Sequence, residues 1–420
     1  MKPRHVRSLL VLAGAGLFAA AALPAAADQT VKIAYIDPLS GAFANVGEQG
    51  LKQFQFVADD ISKRGLAGPG VKLEVVPFDN KVSPQESLNQ LKQVIDGGIR
   101  YITQGNGSGV AGVLIDAVNK QNERNPGQSI LYLNYAAVDP DFTNSKCSFW
   151  HFRFDANSDM KMEALTDYLA KDKSIHAVYL INQNYSFGQA VARAAKEYLA
   201  RKRPDIRIVG DDLHPLGQVK DFSPYVAKIK ASGADTVITG NWGNDMSLLV
   251  KAARDANLNV NFYTYYAGGL GTPTALGEGA VGKVKQITEW HSNVTPDKVG
   301  KFAAAFKKKY GIDFYYLRVN TEMYMLAEAM RQAKSADPLA VARKLEGMKW
   351  MSDTGEVEMR ATDHQLTNPL YISTLEKTAA KGGPKDVRND VENTGLGFET
   401  VAVIPAYVAA QPTSCQMQRP

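Results

Sequence analysis

Residues 101–112 read YITQGNGSGVAG: a strand-like run, a glycine-rich loop, then helix-compatible residues. Within it, Gly107-Ser108-Gly109-Val110-Ala111-Gly112 matches G-x-G-x-x-G, the pattern of a dinucleotide-binding turn. The chemistry behind the pattern is more general. Glycines let the backbone approach a ligand closely, N–H groups at a helix start favour an anion, and Ser108 adds a hydroxyl donor. A carboxylate suits such a cradle as well as a phosphate does. A Rossmann site needs the motif in a first βαβ unit, with an acidic residue about 20 positions on. Here it follows the third strand-like run, and the next run ends in Asn134-Tyr135. The nicotinamide reading fails on that context, which leaves an anion cradle, with a plain loop–helix junction as the alternative.

Other catalytic patterns are missing. G-x-S-x-G does not occur, since Ser108 has glycine on both sides at the wrong spacing. The six histidines contain no H-E-x-x-H, and His151, His176 and His214 read as surface or core histidines. The chain therefore reads as a binder and not an enzyme, with no catalytic residue, cofactor or metal assigned. Cys147 and Cys415 are its two cysteines, and no His or Cys stands at ligand spacing near either. In an oxidising compartment the pair is expected to form a disulfide tying the C-terminal tail to the middle of the chain. Two buried free thiols are the alternative.

The compartment is read from residues 1–27. Lys2, Arg4 and Arg7 precede an apolar stretch from Leu9 to Leu23, and Ala25-Ala26-Ala27 supply small residues before Asp28. This is the pattern of a cleaved secretory signal peptide, too short in its apolar part for a good membrane span. The formal net charge is +5, and three of those charges lie in the leader. The exported chain is near neutral and has no long basic tract, which gives no argument for nucleic acid.

Positioning those loops requires alternating strands and helices. VKIAYI (31–36), VKLEVVPFD (71–79), YITQG and ILYLNY (130–135) read as strands. Between them, residues 47–65 place Leu51, Phe54, Val57, Ala58 and Ile61 at helical spacing. Ser83, Pro84 and Glu86 form a capping box that opens a helix over 83–98. The pattern restarts with HAVYLI (176–181) and continues through TVITG (236–240) and NFYTYY (261–266). Two such series imply two α/β units with parallel sheets. Helices are expected at 298–310, 321–335 and 338–347, and strands at 370–377 and 400–408. These are too few for a third unit and are expected to complete the two earlier sheets.

At this point the chain resembles the type I periplasmic solute-binding proteins of ABC importers, in their branched-chain amino acid (Leu/Ile/Val) branch. The resemblance rests on VKIAYIDPLSGAFANVGEQGLKQFQFVADDI, SLNQLKQVIDGGIRYITQG, FRFDANSD, NYSFGQAVARAAKEYL and DFSPYVAKIKASGADTVITG, in that order. It implies an α/β fold of two doubly wound Rossmann-like lobes joined by three crossover segments. We divide the chain into a signal peptide (1–27), an N-terminal lobe (28–150 plus 290–355) and a C-terminal lobe (151–289 plus 356–420).

Open parallel sheets bind ligands beyond the carboxyl ends of their strands. Six loops therefore supply the candidate site. Ser40 in DPLSG is a hydroxyl donor or an ordinary turn residue. Gly105, Asn106, Gly107 and Ser108 form the anion cradle, where the family places a serine on a ligand carboxylate. Asn134, Ala136 and Ala137 match a segment that binds through main-chain groups, although Val138 stands where the family has a threonine. Tyr185, Phe187, Trp242 and Tyr266 are candidates to cover the solute, as the resemblance implies. Amino-acid binders of this branch place a glutamate in the 263–269 loop against the ligand ammonium; Tyr265-Tyr266-Ala267 offer no carboxylate.

The resulting expectation is a monomeric periplasmic protein that captures a small carboxylate-bearing solute, foremost a branched-chain or other hydrophobic amino acid, and delivers it to an inner-membrane ABC permease. Aromatic carboxylates, short amides or urea are the alternative solutes. A sensory ligand-binding protein is the alternative role.

Overall fold

In a computed structural model, Met1 aside, the described residues are 29–420. The signal peptide expected over 1–27 lies outside them. The first series builds strands β1 (Gln29–Asp37), β2 (Val71–Asp79), β3 (Tyr101–Gln104), β4 (Leu131–Asn134) and β5 (His151–Arg153). Between them run helices α1 (Ala44–Arg64), α2 (Pro84–Asp96) and α3 (Ser108–Arg124). The sheet order is β2-β1-β3-β4-β5, parallel throughout. β3 and β4 are buried at every position, as parallel strands covered on both faces must be. The capping box read at Ser83 is present, with its side chain accepting the Glu86 N–H at 3.2 Å.

The second series supplies α4 (Ser158–Leu169), β6 (Ala177–Gln183), α5 (Ser186–Lys202), β7 (Arg207–His214), α6 (Ser223–Ser232) and β8 (Thr236–Thr239). α7 (Gly243–Asp255), β9 (Asn261–Thr264), α8 (Thr272–Leu276) and β10 (Val284–Thr288) follow. The chain then forms α9 (Pro296–Tyr310), α10 (Leu317–Ala333), α11 (Pro338–Leu345), β11 (Lys349–Ser352), β12 (Gly355–Met359) and β13 (Leu366–Thr367). β14 (Leu370–Lys377), β15 (Leu396–Ile404) and α12 (Ala406–Ala409) end it. The second sheet has the order β15-β14-β10-β9-β8-β6-β7, and only β14 runs against the others, pairing antiparallel with both β10 and β15.

The late strands add to the second sheet alone; β11, β12 and β13 form a separate three-stranded sheet. This corrects the expectation that they complete both sheets. The chain passes from the first lobe to the second after β5, back after β10, and over again between β13 and β14. Three boundary readings are corrected. His151–Arg153 pairs with β4, so the break expected at 150/151 cuts the first sheet. Val357, Met359 and Leu366 pack in the first lobe's core with Met323 and Leu345, so residues 356–367 do not belong with the second lobe. The tail also returns to the first lobe: Thr413 donates to the Thr143 carbonyl at 2.7 Å, and Met417 packs on the same core.

Cys147 and Cys415 are bonded, with Cα atoms 5.7 Å apart and a sequence separation of 268. Such a link removes chain entropy from the unfolded state, the more so for a long loop. Thiol titration of denatured, unreduced protein is expected to return no reactive thiol, and two would overturn the pairing. Replacing Cys415 with Ser is expected to cost about 2–4 kcal/mol in a denaturant titration.

Candidate functional site

The loop between β3 and α3 is shaped by contacts that admit only glycine. A Cβ on Gly105 would sit 2.7 Å from the Tyr135 ring and 2.8 Å from Ala136. Gly107, the residue before α3, has φ 97°, a conformation that L side chains rarely adopt. Beneath the loop lies Asp37, fully buried at the end of β1. Its carboxylate accepts the Asn106 N–H at 2.9 Å, the Gly105 N–H at 3.2 Å and the Tyr135 hydroxyl at 2.8 Å. The cradle is therefore divided. The donors of Gly105 and Asn106 point down to Asp37, and at the start of α3 the Gly107 carbonyl takes the Val110 and Ala111 N–H groups, which leaves those of Ser108 and Gly109 without an intrahelical acceptor. Ser108 is 2% exposed. Its Oγ accepts the Asp139 N–H at 3.3 Å, which leaves its own proton to donate.

Above this helix start is a narrow cavity of about 30 Å³ between the lobes. Gly105, Asn106, Gly107 and Ser108 line it from one side, with Ala136 and Ala137. Tyr185, Phe187, Trp242 and Tyr266 line it from the other. The structure thus brings together ten of the twelve residues read as a ligand site. The two exceptions are corrections. Ser40 is exposed and its hydroxyl is held by Asp79 at 2.5 Å, away from the cavity. Asn134 folds onto its own turn: its Oδ1 accepts the Ala137 N–H at 2.8 Å and its Nδ2 donates to the Ala137 carbonyl at 2.9 Å. That bond, and a second to Ala136 N at 3.2 Å, also occupy the two main-chain donors expected to meet a ligand there.

The aromatic side is held as a unit. Trp242 Nε1 donates to the Tyr185 hydroxyl at 2.7 Å, and Phe187 stands 5.8 Å from Tyr185 and 6.2 Å from Tyr266, ring to ring. Phe43 of the first lobe meets Trp242 with ring centroids 4.3 Å apart. It seats over Gly243, where a Cβ would come within 2.8 Å of its ring. Tyr265 is turned away, its hydroxyl donating to the Ser158 carbonyl at 2.7 Å.

Sequence reasoning missed Arg318 and Tyr316, which also line the cavity. Arg318, 3% exposed, opens α10 and pairs with Glu289 at 2.9 Å to both carboxylate oxygens. Its Nε lies 3.7 Å from Asp155 and makes no hydrogen bond. Asp155 in turn pairs with buried Lys161 at 2.7 Å. Burial works against the Arg318 charge, but Asp155 and Glu289 more than offset it and hold its pKa above the ordinary value. Burial lowers the Lys161 pKa. No signal in the sequence marks Arg318, because the partners that define it are 29 residues or more away. Asp245, buried in the first turn of α7, accepts Gln183 Nε2 at 2.8 Å and Gly217 N at 2.9 Å and so is engaged within the second lobe. Among the described residues, no group of three or more His, Cys, Asp or Glu is placed to hold a metal. No helix among them is long and apolar enough to cross a membrane.

Residues 30–383 match the family described as periplasmic binding protein. A Leu/Ile/Val-binding protein homolog 4 from Brucella abortus is 32% identical over 94% of each chain. The leucine-, isoleucine-, valine-, threonine- and alanine-binding protein of Brucella ovis, solved in a closed conformation, superposes with a TM-score of 0.81 at 30% identity, over 93% of this chain and 100% of that one. A solute-binding protein of an ABC transporter from Rhodopseudomonas palustris, in complex with 3,4-dihydroxybenzoic acid, shares the fold at a TM-score of 0.75 and 20% identity, over 90% of this chain and 98% of that one. The chain belongs to the periplasmic binding protein family, and its two α/β lobes are the type I fold of that family.

Asp37 yields a pH prediction. Burial pushes its carboxyl up to about 7, against the hydrogen bonds from Tyr135, Asn106 and Gly105, and burial pushes buried Glu322 up to about 8. Both pKa values lie above those of the unfolded chain. Between pH 4 and 8 these two carboxyls hold protons in the folded state that the unfolded state has lost, and their contribution to stability falls as pH rises through that window, while buried His151, His291 and His364, whose pKa values burial lowers, act in the opposite sense below about pH 6.5. Urea unfolding of wild type and Asp37→Asn in parallel is expected to show the wild-type free energy falling relative to the variant by a few kcal/mol (order of magnitude) from pH 5 to pH 8. A difference that does not change with pH would remove Asp37 as its source.

Proposed function

We propose that this periplasmic binding protein captures a small carboxylate-bearing solute between its lobes and delivers it to the permease of an ABC importer. The observation that carries the reading is the composition of the interlobe cavity. The α3 start and Ser108 offer donors from the first lobe, Arg318 brings a buried Nε without a hydrogen-bond partner, and four aromatic side chains close the second side. A carboxylate at the α3 start would gain the helix-terminal N–H groups and the Ser108 proton in a site screened from water. The apolar part of the solute would lie under Tyr185, Phe187, Trp242 and Tyr266. Contacts to both lobes would stabilise the shut state over the open one. ATP hydrolysis belongs to other subunits, and the binder works as a periplasmic monomer without a cofactor or catalysis of its own.

A branched-chain or other hydrophobic amino acid is the leading solute class, supported by the names of the relatives at 30–32% identity. One observation favours a second class. The 263–269 loop offers no carboxylate for an ammonium; Glu289 is paired with Arg318, and Asp155, which pairs with Lys161 through one oxygen and keeps a buried Oδ1 without a partner, does not line the cavity. An unpaired buried ammonium is costly. An aromatic carboxylate needs no such partner and suits the aromatic wall.

A thermal-shift screen across aliphatic amino acids, aromatic acids and short amides separates the classes. Stabilisation by the amino acids supports the first, by aromatic acids alone the second, and no response to any carboxylate overturns the reading. Ser108→Ala is expected to weaken the best ligand by about 1 kcal/mol, roughly fivefold, in calorimetry. Unchanged affinity would take Ser108 out of the site.

A further inference from the structure

A second chamber of about 290 Å³ adjoins the first and shares Tyr266, Gly269, Tyr316 and Arg318 with it as common walls. It extends along the end of β10 toward α9 and β15, away from the α3 start. The two differ sharply in capacity. About 30 Å³ is room for a water or two, whereas 290 Å³ approaches the lower end of pockets that hold whole organic ligands.

The lining of the second chamber defines what suits it. Trp290, Phe314, Tyr315 and Phe398 give it aromatic walls. Its charged groups are already engaged. Glu289 pairs with Arg318 at 2.9 Å, Lys307 with Asp313 at 2.7 Å and Arg388 with Asp297 at 3.4 Å, while Asp390 accepts the Gly395 N–H at 3.2 Å. His291 is held neutral, because burial pushes its pKa down to about 3. A charged group in the interior of the chamber would be desolvated beside ions already committed, Asp390 being the lining carboxylate without a cationic partner and lying partly exposed. Two neutral polar groups do remain. Gln286, 2% exposed, takes the Gly268 N–H on its carbonyl oxygen at 2.6 Å, which leaves its NH₂ without a hydrogen-bond partner among the described residues. The buried Ser292 hydroxyl has no partner either.

We infer that the solute is elongated: its carboxylate lies at the α3 start, and an uncharged, largely apolar tail passes Tyr266 and Tyr316 into the second chamber. The inference rests on the proposed capture of a carboxylate and names the solute class within it, namely carboxylates with tails longer than the branched-chain side chains. Gln286 and Ser292 would receive a single neutral polar group on the tail, such as a hydroxyl or an amide oxygen.

The test is calorimetry with straight-chain alkanoates from propionate to nonanoate and with the straight-chain 2-amino acids of the same lengths. Wild-type affinity is expected to rise with tail length, by up to roughly fourfold per methylene buried. Gly300 lines the second chamber from α9, and a Cβ there meets nothing within 4 Å. Gly300→Phe, and Ala304→Phe one helical turn on, should fill the chamber and leave the fold intact, as read by thermal melting. Both are expected to abolish the gain with tail length and to keep the shortest binding ligand within twofold. Short carboxylates that bind as well as long ones would overturn the inference and leave the carboxylate reading standing. So would full long-tail affinity in both variants. If no member of either series binds, the carboxylate reading fails and the inference falls with it.

Discussion

Four buried charges meet where the chain crosses between lobes, and the site depends on how they neutralise one another. Asp155 comes from the first crossover, Lys161 from α4, Glu289 from the second crossover and Arg318 from α10. The Asp155–Lys161 contact is 2.7 Å and the Arg318–Glu289 contact 2.9 Å, with all four side chains at 7% exposure or less. Taking each ion out of water costs several kcal/mol, so none is tolerable there without its partner. The quartet therefore specifies the relative placement of two crossovers, one helix of each lobe, and the Tyr266 and Tyr316 rings that lie beside its cations. Lys161 Nζ is 5.1 Å from the Tyr266 ring centre and Arg318 Cζ is 4.2 Å from that of Tyr316. A second latch joins the first crossover to the third, where Arg153 Nε donates to Gln365 Oε1 at 2.7 Å and Gln365 Nε2 donates to the Asp155 carbonyl at 2.8 Å.

With the crossovers fixed, the polarity of the cradle follows from Asp37. A loop rich in glycine has many backbone donors and no intrinsic preference for where they point. Asp37 removes that freedom by drawing the Gly105 and Asn106 N–H groups and the Tyr135 hydroxyl onto one carboxylate. Tyr135 also receives a hydrogen bond from Asn106 Nδ2 at 2.8 Å, so the loop side chain is committed too. The donors left over at the start of α3 are the Ser108 and Gly109 N–H groups, since the Gly107 carbonyl takes those of Val110 and Ala111. Asp37 never reaches the cavity, yet it decides which face of the loop can greet an anion.

What was legible in the sequence was whatever is local. Period, caps and buried runs placed the strand–loop–helix order, the capping box at Ser83, and the loops that carry ten of the twelve anticipated site residues. Most of the misses are consequences of distant partners, and Asn134 is the local exception. Ser40 has the right chemistry and the right loop, but Asp79, at the end of the neighbouring strand, takes its hydroxyl. Asn134 spends its amide on its own turn, which a donor count on the residue alone does not reveal. Arg318 became visible only through Asp155 and Glu289, and Phe43 only through Trp242. The lobe of residues 356–367 is fixed by packing against helices α10 and α11, and that of the tail by Cys147, so no composition shift marks either boundary.

The two sides of the cavity have different work to do. The first lobe presents fixed donors from a rigid helix start. The second presents rings, and one of them, Trp242, also carries the contact between lobes through Phe43. Because Trp242 Nε1 is tied to Tyr185, movement of either ring is felt at both the cover and the lobe contact. A solute alters the opening equilibrium only by contacts that differ between the open and shut states. Contacts to the α3 start are available in either state, whereas contacts to the rings exist only when the lobes meet. A carboxylate head bound as proposed would therefore contribute chiefly to capture. In the proposed mode of binding, coupling of capture to closure would fall to the part of the solute that reaches Trp242, Tyr185 and Tyr266.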